Sequence, residues 1–223
     1  MITYEQFIKE GVYDPNIFKA VFMAGGPGSG KSFIAGKATG GLGLKIINSD
    51  DAFERFLTKE GLSLKMPDSE TIERDIERSR AKKVTAAKKF QAIRGRLGII
   101  IDGTGHKYDK IVDPAAMLQQ LGYETSMVFV NTSLEVALHR NEQRTRSVKP
   151  TLVKKSWQDV QNNMGKFQNY FEAANFFIVD NNGFEEDMLE ISTKHIRRAI
   201  SKPVKNVIAK AWIANEMKKK RRT

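Results

Sequence analysis

The residues Gly25-Gly26-Pro27-Gly28-Ser29-Gly30-Lys31-Ser32 satisfy G-x-x-x-x-G-K-[ST] in every specified place, directly after the apolar run Val21-Phe22-Met23-Ala24. Such a loop dictates its surroundings. A strand must lead into it and a helix must leave it, because its glycines let successive backbone N–H groups converge on one anion at a helix start. Phe33, Ile34, Ala35 and Ala38 offer that helix a buried face. Lys31 adds a mobile cation for the β- and γ-phosphates, and Ser32 offers a hydroxyl to Mg²⁺. Gly25, Gly26, Gly28, Ser29, Gly30, Lys31 and Ser32 are therefore expected to bind a nucleoside triphosphate.

Five short β-rich apolar runs alternate with helical patterns: Ala20-Val21-Phe22-Met23, Leu44-Lys45-Ile46-Ile47, Gly98-Ile99-Ile100-Ile101, Ser126-Met127-Val128-Phe129-Val130 and Phe176-Phe177-Ile178-Val179. This alternation predicts an α/β protein with a five-stranded, mostly parallel sheet covered on both faces. Ligands in such folds collect at the carboxyl ends of the strands. Thr3-Tyr4-Glu5-Gln6 fits a capping box for a short helix ahead of the first strand.

The 223 residues, 40% of them hydrophobic, suffice for one domain with one good core. No run approaches the roughly 18 consecutive apolar residues that span a bilayer. Met1-Ile2-Thr3-Tyr4-Glu5 lacks a basic-then-apolar leader pattern, so a cytoplasmic protein away from membranes is expected. The absence of cysteine excludes thiolate metal sites, disulfides and cysteine nucleophiles. A net charge of +11 favours anionic partners or simply maintains solubility.

Two further strand ends carry acids. Asn48-Ser49-Asp50-Asp51 follows the second strand, where Asp50 can accept the proton of an attacking hydroxyl and Asp51 can cap the next helix or contact the acceptor; the two roles are exchangeable. Asp102-Gly103-Thr104-Gly105 follows the third strand, where Asp102 can bind Mg²⁺ through water or contact the acceptor together with Thr104, or form an Asx turn. After the fourth strand, Thr132-Ser133-Leu134-Glu135 caps a helix leading to Arg140, Arg144 and Arg146. Arginines on a lid can neutralise charge between phosphoryl donor and acceptor, and a basic helix end favoured by the dipole is the alternative.

Between the second and third strands, residues 52–96 are helical with breaks at Gly61 and Pro67-Asp68-Ser69. No acid occurs from Arg78 to Arg96, a stretch that includes Arg80, Lys82, Lys83, Lys88, Lys89 and Arg94. These bases form either a solvated face or the hold on an anionic substrate. Val204, Val207, Ile208, Ala211 and Trp212 have helical spacing and are expected to dock on the core, with Lys218 to Arg222 as a frayed basic tail.

The phosphate loop, Asn48-Ser49-Asp50-Asp51, Asp102-Gly103-Thr104-Gly105 and Met117-Leu118-Gln119-Gln120-Leu121-Gly122-Tyr123-Glu124-Thr125 together resemble the P-loop kinases of the zeta-toxin and polynucleotide-kinase group, over roughly residues 18 to 180. The style is also similar to phage-encoded kinases. The resemblance implies a three-layer P-loop kinase fold with a helical substrate excursion over 52–96 and a lid over 140–150. The domain would span 1–200, and 201–223 would form a C-terminal helix and basic tail. It further implies ATP and Mg²⁺ as cofactors, held by Lys31, Ser32 and Asp102, with Asp50 as base and Arg140, Arg144 and Arg146 on the lid. The acceptor would be a nucleotide-like small molecule, such as a nucleotide sugar, or DNA or RNA, including hydroxymethylated DNA, and the chain would be monomeric. Asp102 stands where the zeta group usually has Glu. A GTPase-type switch remains an alternative because Asp102 to Gly105 satisfies D-x-x-G, although no [NT]-K-x-D guanine motif occurs. A nucleic-acid-binding protein with a vestigial nucleotide site is the other.

Overall fold

The computed structural model describes residues 11–144, 148–183 and 185–220. Thr3 to Gln6, Arg146, Arg221 and Arg222 lie outside the described residues. The five apolar runs form β1 (Lys19–Ala24), β2 (Lys45–Ile47), β3 (Ile99–Asp102), β4 (Glu124–Asn131) and β5 (Phe176–Asp180). All four pairings are parallel, in the order β2-β3-β1-β4-β5. The sheet is thus wholly parallel, where the sequence predicts a mostly parallel one.

The helices are α1 (Lys31–Ala38), α2 (Asp50–Lys59), α3 (Thr71–Arg94), α4 (Asp109–Gln120), α5 (Leu134–Glu142), α6 (Pro150–Phe171), α7 (Glu185–Ile200) and α8 (Val207–Lys220). Side-chain alternation splits β1 between two cores. Ala20, Phe22 and Ala24 pack with Ile111, Ala115 and Leu118 of α4 and Val160, Phe167 and Phe171 of α6. Val21 and Met23 pack with Ile34, Ala35 and Ala38 of α1 and Met188, Ile196 and Ala199 of α7. The result is three layers, with the sheet sealed on both faces.

The region between β2 and β3 has its own small core of Ala52, Phe53 and Leu57 from α2 against Ala81 of α3. Its helices break where glycine and proline predict: Gly61 follows α2 with φ +70°, and Pro67 precedes a 3-10 turn at Asp68–Glu70 that leads into α3. Helix α8 docks through Ala209 and Trp212, the indole meeting Phe18 edge-on with centroids 5.5 Å apart. Val207 and Ile208, expected on the docking face, are exposed because the face in contact is rotated toward Ala209. Lys218, Lys219 and Lys220 form the last turn of α8 instead of a frayed tail, where the helix dipole favours cations. Among the described residues, no helix is long and apolar enough to cross a membrane.

Candidate active site

The loop after β1 is fixed by what surrounds it. Gly25 N–H donates to the Thr104 carbonyl at 3.0 Å and Gly103 N–H to the Met23 carbonyl at 3.1 Å, tying the ends of β1 and β3 together. A Cβ on Gly28, which has φ +78°, would stand 2.3 Å from the Ala137 carbonyl oxygen of α5. Glycine is therefore required there both by the backbone conformation and by the approach of α5. Helix α1 opens at Gly30 with no acid in its first turn, so its amide-rich end meets the loop without a carboxylate of its own to compensate it.

Lys31 is buried, and its ammonium donates to the Gly26 carbonyl at 3.3 Å and the Ser29 hydroxyl at 3.4 Å. Burial pushes its pKa below the ordinary lysine value; the carboxylate of Asp102 opposes this, Arg144 adds to it, and Asp50 opposes it. A phosphate arriving beside this lysine would add counter-charge to that of Asp102 and Asp50.

Asp102 reaches the loop because β3 lies next to β1. Its Oδ2 accepts from the Ser32 hydroxyl at 3.1 Å and from the Asn48 amide at 3.2 Å, while its buried Oδ1 has no hydrogen-bond partner among the described residues. Burial raises its pKa, with Lys31 and the Ser32 hydrogen bond pulling it down and Asp50 and Asp51 pushing it up. A buried carboxylate oxygen without a donor, beside a serine hydroxyl, is what a hard divalent cation or its bound water would satisfy. Ser32 and Asp102 would therefore fit Mg²⁺. No group of three or more His, Cys, Asp or Glu able to hold a metal occurs among the described residues.

Asp50 opens α2, with its N–H donating to the Asn48 side-chain oxygen at 2.8 Å. Its Oδ1 accepts from Arg78 of α3 at 2.7 Å, and the Arg78 guanidinium lies 4.6 Å from the centre of the Phe53 ring. Asp51 sits one position into the helix, exposed and outside the cleft lining. It is not the cap either: Ser49 holds the N-cap position without a side-chain bond, and Asn48 serves the Asp50 amide.

Arg140 and Arg144 face the same cleft from the end of α5 and just beyond it. Arg140 donates to the Asn181 carbonyl at 2.8 Å. Asn181, in the turn after β5, also donates its amide to the Ser29 carbonyl at 2.7 Å, so one residue ties the phosphate loop to the arginine helix. Near Arg144, the Asn141 amide donates to the Val148 carbonyl at 2.7 Å, and the Val148 N–H donates to Asn141 Oδ1 at 2.9 Å. The cap expected at Ser133 is present, its hydroxyl accepting from Val136 N–H at 3.2 Å.

One cleft of about 600 Å³ is lined by Gly26 to Ser32, Asp50, Asp102, Thr104, Arg140 and Arg144, with Arg78 and Met66 also lining it. Of the candidate residues, the structure gathers these and leaves Gly25 and Asp51 outside the lining, while Arg146 lies outside the described residues. Thr104 pairs its hydroxyl with His106 Nδ1. Three contributors were not singled out from the sequence: Asn48, which bridges Asp102 and Asp50; Arg78, one base among many on α3; and Asn181. The last directly follows β5, at the edge of a parallel sheet where ligands bind.

A family model described as "AAA domain" matches residues 21–167. The fold is similar to that of a gluconokinase from Sinorhizobium meliloti 1021, at 15% identity and a TM-score of 0.51, covering 82% of this chain and 94% of that one. A chain of the PezAT toxin-antitoxin system of Streptococcus pneumoniae matches at 16% identity and a TM-score of 0.52, covering 82% and 88%. A chain of the Pnkp1/Rnl/Hen1 RNA repair complex matches at 21% identity and a TM-score of 0.52, covering 68% of this chain and 46% of that one. No curated protein sequence matches.

Proposed function

The chain belongs to the AAA domain family matched over residues 21–167, and from that premise we propose that it is an ATP-dependent kinase acting on a hydroxyl of a nucleotide-like or polynucleotide acceptor. The observation that carries this reading is the convergence of Lys31, Ser32, Asp50, Asp102, Arg140 and Arg144 on one cleft. A cradle alone only binds. A carboxylate on the acceptor side and two arginines between the sites are the parts that phosphoryl transfer needs.

In this reading the loop amides and Lys31 hold the β- and γ-phosphates. Ser32 and Asp102 would hold Mg²⁺, which would neutralise phosphate charge. Asp50, oriented by Arg78 and Asn48, accepts the proton of the acceptor hydroxyl as its oxygen attacks the γ-phosphorus. The bond from that phosphorus to the bridging oxygen breaks, and ADP leaves. Arg140 and Arg144 stabilise the charge that develops on the transferring group. Arg78, which holds Asp50, and Met66 line the same cleft and would frame the acceptor.

The test is transfer from γ-labelled ATP with Mg²⁺ to a panel of UDP-sugars, nucleosides, nucleoside monophosphates, 5′-hydroxyl oligonucleotides and hydroxymethylated DNA. Labelling of one class is expected, lost with Lys31→Ala. Asp50→Asn should retain ATP binding while transfer falls by a factor on the order of 10² to 10⁴. Hydrolysis of GTP with transfer to none of these acceptors would replace the kinase by a nucleotide switch.

A further inference from the structure

Helix α3 turns toward solvent a face that the core does not use. Its buried residues are Glu77, Ala81 and Ala92. On the opposite side Ile72, Ile76, Ser79, Lys83, Ala86 and Phe90 are all exposed, the three large apolar residues by 75%, 60% and 62%. Their positions advance by four, three, four, three and four residues, which is the spacing of a coiled-coil seam. From Ile72 to Phe90 the seam is about 27 Å long, at about 1.5 Å per residue.

The charge beside this seam is divided along the helix. Exposed Glu73 and Asp75 flank its first turns, whereas Lys82, Lys83, Lys89 and Arg94 flank or occupy the rest, and no acid occurs between Arg78 and Arg96. A surface that is acidic at one end and basic at the other complements itself when reversed. We propose that α3 is the contact of a two-fold homodimer, packed antiparallel against α3 of a second copy, in place of the monomer expected from the sequence.

Reversal sets Ile72 against Phe90 of the second copy, Ile76 against its Ala86, and Ser79 against its Lys83. Asp75 then approaches Lys89 of the second copy, and Glu73 approaches its Arg94, along the two edges of the seam. A parallel pair would instead bury Lys83 against Lys83 and set Lys89 beside Arg94 of the second copy, so orientation is specified by repulsion as well as by attraction. Near the two-fold axis Lys82 meets its own counterpart on one edge and Arg80 meets its own on the other, the latter offset by Glu60 and Glu77 of the same chain. Those like-charge contacts, with a polar central layer, make the dimer a reversible one.

Sedimentation velocity of the full chain over a range of concentrations tests this. A monomer–dimer equilibrium is expected, shifted toward monomer by Ile76→Glu with the melting temperature unchanged. Asp75→Lys and Lys89→Asp should each weaken dimerisation by roughly tenfold, and combining them should recover most of the loss. The reciprocal pair keeps the test sharp should Ile76→Glu perturb the fold. Monomer at every concentration, a dimer indifferent to Ile76→Glu, or a double variant no better than either single one would overturn the proposal. So would a monomer that binds single-stranded oligonucleotide and loses it on Lys83→Ala and Phe90→Ala, which would give this face to a polymer instead.

Discussion

Replacing Asn181 by alanine removes a side chain that links the phosphate loop to the turn after β5. Its amide is buried and donates to the Ser29 carbonyl, itself buried, at 2.7 Å. A Cβ on Gly30 would already stand 2.5 Å from that amide nitrogen. Truncation therefore leaves a buried carbonyl without a donor, which costs about 1–3 kcal/mol. The loop alone bears this loss, since the Asn181 carbonyl that holds Arg140 belongs to the backbone and survives. If some 2 kcal/mol of loop order must be restored when nucleotide binds, affinity falls by roughly 30-fold. Titration with a fluorescent ATP analogue reads this directly, alongside a thermal melt. Asn181→Asp should be worse than Asn181→Ala, because its carboxylate faces the Ser29 carbonyl and has nothing to donate. ATP affinity within about twofold of the unaltered protein for both variants would refute the claim that this hydrogen bond shapes the loop.

Gly28→Ala should cost more than about 2 kcal/mol, because strained backbone and the clash with the Ala137 carbonyl act together; denaturant unfolding with nucleotide titration checks it, and a variant of normal stability and affinity would contradict it. Arg144→Ala should lower kcat by on the order of 10² or more with little change in ATP affinity, whereas Arg140→Ala should affect both, since it also reaches Asn181. Steady-state kinetics separates the two, and an unchanged kcat in both would remove the arginines from the site. Asp102 has a raised folded-state pKa, so its contribution to stability is fully present below the unfolded value of 3.8 and is lost as pH rises through the folded value. In the absence of nucleotide, the protein should therefore lose stability relative to Asp102→Asn as pH climbs above about 4. Parallel melting curves for the two proteins over that range would show that no such proton is held.

The phosphate loop, all five strands and the α2–α3 break were legible because each is a local pattern: glycine spacing, a short apolar run, or a glycine and a proline at a helix end. The residues 48–51 and 102–105 were placed at the ligand edge by the same logic, since they follow strands. Position within a motif did not separate Asp50 from Asp51. Only the helix start does so, by turning Asp50 into the cleft and Asp51 to solvent. Likewise, helical spacing put Val207 and Ile208 on a docking face that the fold rotates outward.

What the sequence determined by itself is therefore the donor side: a cradle for phosphate, a lysine and a serine at its end, and acids at two further strand ends. What only the tertiary structure decided is which distant side chains meet. Strand order sets β3 beside β1, so that Asp102 reaches Ser32 across 70 residues. The packing of α3 on α2 selects Arg78 from a run of bases to meet Asp50. The turn after β5 brings Asn181 to Ser29 across 152 residues. Periodicity records which face of an element is buried, but not which element covers it, so partners of this kind are settled only when the layers close on one another.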